Sequence, residues 1–261
     1  MSADSPYASP LFDPLRCWLD RLPPRPDTPA LLELARQHPI CTENGQRVRF
    51  VPPQADGLAY ECRIWQSGEV ETRPDNWHDF FNALVWLSFP QTKIAVSAAH
   101  MRAMQAPGER RGTTRDALTH FDECGIVVLS SQPALLALLR GFQWKALFVD
   151  HRADVIRHMR FVIFGHATYE QLLQPFRGLT AKAILHEVDE AWLEQSPAAQ
   201  LAAVDTLLAQ ELTRGAYVRP RDFQPLPLLG IPGVTPENED PAYYDDTDQF
   251  RPGRRAAAVF A

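Results

Sequence analysis

Apolar side chains recur at helical spacing through the first half of the chain. Trp77, Phe81 and Leu84 are spaced as on one face of a helix. They predict a helix from Pro74 to about Leu87, because Pro90 does not continue it. The same spacing and good helix propensity predict three more helices: Thr28 to Gln37, Gln91 to Gln105 and Thr113 to Cys124.

After Gly125 the pattern changes to short apolar runs separated by short polar or helical segments. Four runs are predicted as strands: Ile126 to Leu129, Ala146 to Val149, Phe161 to Phe164 and Ala183 to Val188. Five segments are predicted as helices: Pro133 to Arg140, His151 to His158, Thr168 to Gln174, Glu190 to Leu193 and Pro197 to Thr213. This alternation predicts an α+β or α/β fold with a small mixed sheet.

A β-hairpin is predicted earlier in the chain. The stretches Ala59 to Trp65 and Glu69 to Arg73 are rich in β-formers, and Gln66-Ser67-Gly68 between them resembles a turn. The N-terminal part is therefore expected to combine this hairpin with helices.

Prolines are concentrated at both ends. Those in residues 1–30 predict a packed arm, and the proline-rich tail 219–261 carries apolar residues that can be buried on the body. Residues 31–218 are predicted to form an α/β body. The whole chain, 1–261, is predicted to be a single globular domain.

Charge and cysteine content narrow the function classes. The net charge of −6, from 32 acidic and 26 basic residues, argues against nucleic acid as a partner. No apolar window is long enough for a membrane span, and residues 1–14 do not resemble a signal peptide. The four cysteines form no CxxC pair, which favours reduced thiols and a cytoplasmic location. Nothing in the pattern fixes the oligomeric state.

Several sequence blocks together resemble a known family. The blocks are Asn76-Trp77-His78-Asp79-Phe80-Phe81-Asn82-Ala83, Phe89-Pro90-Gln91-Thr92-Lys93, Arg115-Asp116-Ala117-Leu118-Thr119, Phe121-Asp122-Glu123, Phe164-Gly165-His166-Ala167, Leu226-Pro227-Leu228-Leu229-Gly230-Ile231-Pro232-Gly233 and Asn238-Glu239-Asp240-Pro241. The family they resemble is the uncharacterised one called domain of unknown function 3025. The resemblance implies a bacterial protein and implies no activity, so any chemistry has to be argued from the residues.

The helix starting at Pro74 places three polar groups near one another. His78 and Asn82 lie four positions apart, and Asp79 lies three before Asn82. They can form part of a site. The alternative is that Asp75 caps the helix, Asp79 stabilises its first turn and His78 is solvated.

The helix from Thr113 to Cys124 repeats this arrangement. Arg115 and Asp122 share one face, and the adjacent Asp122 and Glu123 can bind a divalent cation or divide acid and base roles. The alternative is a solvated face with surface ion pairs. Arg110 and Arg111 before this helix predict an anion-binding corner together with Arg115.

His166 and two lysines complete the candidates. His166 follows the predicted strand that ends in Phe164-Gly165, and ligands collect at such strand ends. The alternative is a tight turn at Gly165. Lys93 and Lys145 are rare lysines that can contact an anion.

Two hypotheses about function follow. The first is an enzyme that acts on a small anionic substrate, such as a phosphorylated one, by acid/base or divalent-metal chemistry. Its catalytic residues would be His78, Asp79, His166, Asp122 and Glu123, and its substrate-binding residues Asn82, Lys93, Arg115 and Lys145. The rival is a non-catalytic binding or assembly protein whose polar cluster is a structural network. An enzyme needs these groups around one open cavity, whereas a structural network is closed and fully paired.

Overall fold

The computed structural model describes residues 6–105 and 112–253. The first half contains, in order, α1 (Arg16–Leu19), α2 (Thr28–Gln37), β1 (Arg49–Val51), α3 (Tyr60–Ser67), β2 (Glu69–Glu71), α4 (Trp77–Ser88), α5 (Pro90–Gln105) and α6 (Thr113–Cys124). The second half contains β3 (Gly125–Ser130), α7 (Pro133–Arg140), α8 (Arg152–His158), β4 (Met159–Ile163), α9 (His166–Gln171), β5 (Thr180–Glu187), α10 (Glu190–Leu193), α11 (Pro197–Thr213) and β6 (Gln224–Pro227). The predicted α+β class is confirmed.

The larger sheet has the strand order β4-β3-β5-β6. β3 pairs parallel with β5 and antiparallel with β4, and β6 pairs antiparallel with the outer edge of β5. All six residues of β3 are buried, as expected for a continuous apolar run at the centre of a sheet covered on both faces. The predicted small mixed sheet is confirmed.

The predicted hairpin is wrong. The segment read as its first strand is the helix α3, and β2 pairs in parallel with β1 instead. Gly68 ends α3 in the left-handed conformation, with φ of 71°. Gly68 therefore terminates a helix and does not form a hairpin turn. A segment of eight residues is too short for periodicity alone to distinguish a helix from a strand.

The predicted strand from Ala146 to Val149 is also wrong. Residues Ala146–Asp150 form one π-helical turn in which Leu147 and Phe148 are both fully buried. A strand would direct these neighbouring side chains to opposite faces, whereas a helical turn brings both into the core. A short apolar run does not encode this difference.

The described part of the tail, residues 219–253, packs on the body, as predicted. β6 extends the sheet, and further buried tail residues include Phe223, Leu228, Ile231 and Phe250. The buried apolar side chains form one cluster that reaches from Tyr7 to Phe250. The division of the chain into a single domain stays a prediction. Within residues 6–105 and 112–253, no helix is both long and apolar enough to cross a bilayer.

The start of α5 is fixed by a buried carboxylate from another helix. Asp205 of α11 accepts hydrogen bonds from the backbone nitrogens of Gln91 and Thr92, at 3.1 and 2.8 Å, and from the Thr92 hydroxyl. These donors have no partner within α5 itself. The contact fixes the helix that carries Lys93.

Candidate functional site

Several helices surround one open cavity of about 480 Å³. Residues of α3, α4, α5, α6 and the start of α9 line it. The structure brings six of the predicted site residues to its wall: His78, Asp79, Asn82, Asp122, Glu123 and His166. The two polar helix faces noted in the sequence therefore face each other across one space.

The first turn of α4 is held by Asn76 and Asp79. Asn76, and not Asp75 as expected, caps the helix by accepting a hydrogen bond from the Asp79 nitrogen at 3.0 Å. Arg73 donates two side-chain hydrogen bonds to the Asp79 carboxylate, at 2.8 and 2.9 Å. Partial burial opposes ionisation of Asp79, but these bonds outweigh it and lower its pKa. Asp79 thus anchors Arg73 and the turn before the helix.

Lys93 is the centre of a closed hydrogen-bond network. Its buried ammonium donates to both oxygens of Asp122, at 2.6 and 2.9 Å, and to the Asn82 side-chain oxygen at 3.0 Å. Asn82 in turn donates to the Tyr60 hydroxyl at 2.9 Å. Burial would raise the pKa of Asp122, but the charge of Lys93 prevails and lowers it. The network connects α3, α4, α5 and α6. The Lys93 ammonium directs its three hydrogen bonds to oxygen atoms of the protein.

The two predicted histidines meet at the other side of Asp122. The Nε2 atoms of His78 and His166 are 3.1 Å apart, although the residues lie 88 positions apart in the chain. Glu123 Oε2 faces both, at 4.0 Å from His78 Nε2 and 3.7 Å from His166 Nε2. We call these three side chains the histidine centre. Its ligand atoms all lie within 4.8 Å of one another.

Each histidine of this centre has a carboxylate behind it. Glu170 Oε2 is 3.3 Å from His78 Nδ1, and Asp122 Oδ2 is 3.6 Å from His166 Nδ1. A carboxylate on the outer nitrogen orients the ring and makes the inner nitrogen a better ligand. This applies to His78, whereas Asp122 lies too far from His166 Nδ1 for a hydrogen bond and acts on that ring through its charge.

Burial controls the ionisation of the histidine centre. Loss of hydration lowers the pKa of His166 to about 3, against the attraction of the Asp122 carboxylate. Burial raises the pKa of Glu123. The His166 ring is therefore neutral at neutral pH, which is the form that binds a cation.

Glu61 and His100 line the same cavity and were missed in the sequence. Burial, reinforced by the Asp122 carboxylate, raises the pKa of Glu61 to about 8, and burial lowers that of His100 to about 4. Glu61 was missed because α3 was read as a strand. His100 lies seven positions after Lys93 in α5, a same-face spacing that could have identified it.

Two predicted substrate-binding residues, Arg115 and Lys145, differ in position from the residues that line the cavity. Arg115 is half-buried on α6, and its charge acts on Glu61 and His100 across the cavity. Lys145 is not part of the cavity wall; it forms an ion pair with Asp245 of the tail. Arg110 and Arg111 of the predicted anion-binding corner lie outside the described residues.

Gly165 lets α9 approach α6 closely enough to form the histidine centre. A Cβ at this position would lie 2.5 Å from both the Cys124 nitrogen and the Glu123 oxygen, which are backbone atoms. We therefore expect Gly165→Ala to lower the free energy of unfolding by about 1–3 kcal/mol, because the two backbones must separate. Urea unfolding measures this, and an unchanged midpoint would contradict the tight approach.

Comparison with known proteins gives a family and no activity. A family model described as "Protein of unknown function (DUF3025)" matches residues 48–254. No curated protein and no solved structure matches the chain. The matched range contains α4, α5, α6 and α9, and hence the cavity with its histidine centre. The resemblance drawn from the sequence blocks is confirmed, and the chain belongs to the DUF3025 family.

Proposed function

We propose that this protein is a metal-dependent hydrolase of a small anionic substrate, with the histidine centre as its cation site. One observation carries the proposal: two histidine Nε2 atoms point at each other across 3.1 Å, with Glu123 beside them and a carboxylate behind each ring. In a purely structural cluster the same contact is a hydrogen bond from one Nε2 to the other, and the position of Glu123 beside both nitrogens is what favours a cation.

The separations suit one small divalent ion. Two nitrogens bound to one ion at about 2.1 Å, at tetrahedral or octahedral angles, are about 3.0–3.4 Å apart. The observed 3.1 Å falls in this interval. Glu123 Oε2, at 3.7 and 4.0 Å, needs to move inward by less than about 1 Å to complete the set. Two imidazoles and one carboxylate favour Zn²⁺ or a similar transition ion over Mg²⁺.

This ligand set suits hydrolysis. A cation with three protein ligands keeps a position open for water. It would lower the pKa of that water to about 7, which supplies a nucleophile at neutral pH. The cation would also supply the positive charge that an anionic substrate needs, because Lys93 is bound to Asp122 and Arg73 to Asp79. In this proposal those paired residues form the rigid frame, and His78, His166 and Glu123 carry the reaction.

The rival function, a non-catalytic binding or assembly protein, draws support from the paired part of the cluster. Lys93, Asp122 and Asn82 form a closed hydrogen-bond network of the kind that fixes helix packing. The open cavity, which the histidine centre lines, favours the enzyme.

We place this activity in the reducing cytoplasm of a bacterium. Cys17, Cys41, Cys62 and Cys124 are all free thiols, and two of them are exposed. Exposed unpaired thiols are typical of proteins in reducing compartments.

Calorimetric titration of the metal-free protein tests the proposal. We expect Zn²⁺ and Mn²⁺ to bind at one site per chain, and His166→Ala to weaken binding by at least about 10–100-fold because one of three ligands is lost. Mg²⁺ should bind far more weakly, since it prefers oxygen ligands.

The matched control is His151→Ala. His151 is a surface histidine paired with Asp154 in its own helical turn, so its removal should leave metal affinity unchanged. Equal losses in the two variants would locate binding elsewhere. No binding of any of the three ions at millimolar concentration would favour the non-catalytic rival.

A further inference from the structure

Resting on the proposed function, we propose that Glu61 is the general acid of this cavity, donating its proton to the leaving-group oxygen of the substrate. Glu61 lies in the first turn of α3 and lines the same cavity as the two histidines, which α4 and α9 carry. Asp122 also lines this cavity and acts electrostatically on both Glu61 and His166.

Among the described acidic groups of the cavity wall, Glu61 and Glu123 lack a tight ion-pair partner, and Glu123 belongs to the histidine centre. Asp79 is clamped by Arg73, Asp122 by Lys93, and Glu71 by the buried Arg63. Within the described residues, the ion-pair contact of Glu61 is with His100, at 3.9 Å between Oε1 and Nε2. That distance is too long for a hydrogen bond, so the acid proton is free for a ligand.

His100 adds a second observation to this subsite. Its ring is 4% exposed and lines the cavity, and its Nδ1 atom has no hydrogen-bond partner within residues 6–105 and 112–253. A buried polar atom without a partner costs free energy unless a ligand or water satisfies it. Glu61 and His100 therefore form a polar pair in the cavity wall whose hydrogen-bonding capacity the protein does not fully use, and we assign this pair to a substrate oxygen.

Burial favours the protonated form of Glu61. Loss of hydration has the largest effect and the charge of Asp122 reinforces it, whereas the charges of Lys93 and Arg115 oppose it. The balance places the pKa of Glu61 at about 8, and His100 beside it is neutral. At neutral pH the carboxyl keeps its proton, as a general acid must.

The step balances for hydrolysis of a phosphate monoester. The water oxygen bonds to phosphorus while the bond from phosphorus to the leaving oxygen breaks. The electron pair of the broken bond stays on the leaving oxygen, which takes the proton of Glu61 and departs as an alcohol. The attacking water releases a proton to solvent, and the Glu61 carboxylate regains one from solvent. One water is consumed, and the enzyme is unchanged.

The first test needs no substrate. In protein labelled with ¹³C at the glutamate carboxyls, NMR titration from about pH 4 to about pH 10 should show raised midpoints for both Glu61 and Glu123, against the usual value of about 4.3. Substitution assigns the Glu61 signal. Glu61→Gln should remove that signal. The control Glu43→Gln, which removes a surface carboxylate paired with Arg102, should leave it in place. An ordinary midpoint for Glu61 overturns the assignment.

The second test compares leaving groups in the metal-loaded protein. General acid catalysis contributes about 10²–10⁴-fold, and it matters most where the leaving oxygen is strongly basic. Glu61→Gln should therefore lower kcat/KM for phenyl phosphate by about that factor. It should lower kcat/KM for p-nitrophenyl phosphate much less, because nitrophenolate leaves without a proton. Glu43→Gln should change neither value.

The outcomes separate this inference from the proposed function. If both esters are hydrolysed and Glu61→Gln reduces them equally or not at all, Glu61 is not the acid, and the metal-dependent hydrolase stands. If the metal-loaded wild type hydrolyses neither ester, the proposed function and the role of Glu61 in it are both overturned. Zinc affinity should be unchanged in Glu61→Gln, since Glu61 is outside the histidine centre.

Discussion

Removing residues 219–261 is expected to leave a chain that does not fold. The deletion takes away β6 and six side chains of the apolar core cluster: Phe223, Leu226, Leu228, Ile231, Tyr244 and Phe250. At about 1.5 kcal/mol for each, their loss approaches about 9 kcal/mol, which is comparable to the whole stability of a typical domain, about 5–15 kcal/mol. Circular dichroism and size-exclusion chromatography should show an unfolded or aggregated product.

A single substitution in the tail should destabilise the fold by a smaller, measurable amount. Leu228 is fully buried, and Leu228→Ala should lower the free energy of unfolding by about 2–5 kcal/mol. Glu237→Ala is the control in the same tail, because Glu237 is exposed and its removal should change stability by less than about 0.5 kcal/mol. Limited proteolysis that trims the chain to residue 218 without changing its melting temperature would contradict the docked tail.

Replacing Lys93 with methionine should cause the largest loss from a single site residue. The substitution leaves Asp122 without the ammonium that holds both of its oxygens. Breaking a buried ion pair by removing one partner costs about 3–5 kcal/mol, because the remaining charge is uncompensated. Urea unfolding at neutral pH measures the loss.

The pH dependence of this loss has a definite sign. In the wild type the folded pKa of Asp122 lies below its usual value, so the pair stabilises the fold above about pH 4 and is lost as pH falls through the folded pKa. Without Lys93 burial dominates and the pKa should rise, so the penalty of Lys93→Met should grow as pH rises.

The double variant Lys93→Met with Asp122→Asn is the control for this effect. It removes the buried charge together with its partner, so it should recover much of the stability and the pH dependence should flatten. A double variant as unstable as the single one would show that packing, and not the buried charge, causes the loss.

The sequence predicted the elements whose signals are local. α2 and α6 have the predicted bounds, because each combines apolar spacing with a clear terminus, such as Asp27 capping α2. It failed for Tyr60–Ser67 and Ala146–Asp150, where the apolar run is shorter than two helical turns or strand-like in composition. In these segments tertiary packing decides the conformation.

The candidate site was predictable in its residues but not in its pairing. Helical spacing identified His78 and Asp122 as polar positions beside apolar stripes, and the end of a predicted strand identified His166. The sequence could not indicate that Lys93 forms an ion pair with Asp122, or that Lys145 forms one with the tail, because both contacts join distant parts of the chain. Glu61 was not identified because α3 was predicted as a strand, and a strand groups its side chains on different faces from those of a helix.

The position of β6 at the edge of the sheet affects how the chain is made. β5 presents an unpaired edge until residues 224–227 emerge from the ribosome, since β6 covers that edge. Unpaired strand edges on partly synthesised chains favour association with other chains. The sheet therefore closes only after residues 224–227 have been made, and until then the free edge of β5 can pair with other chains.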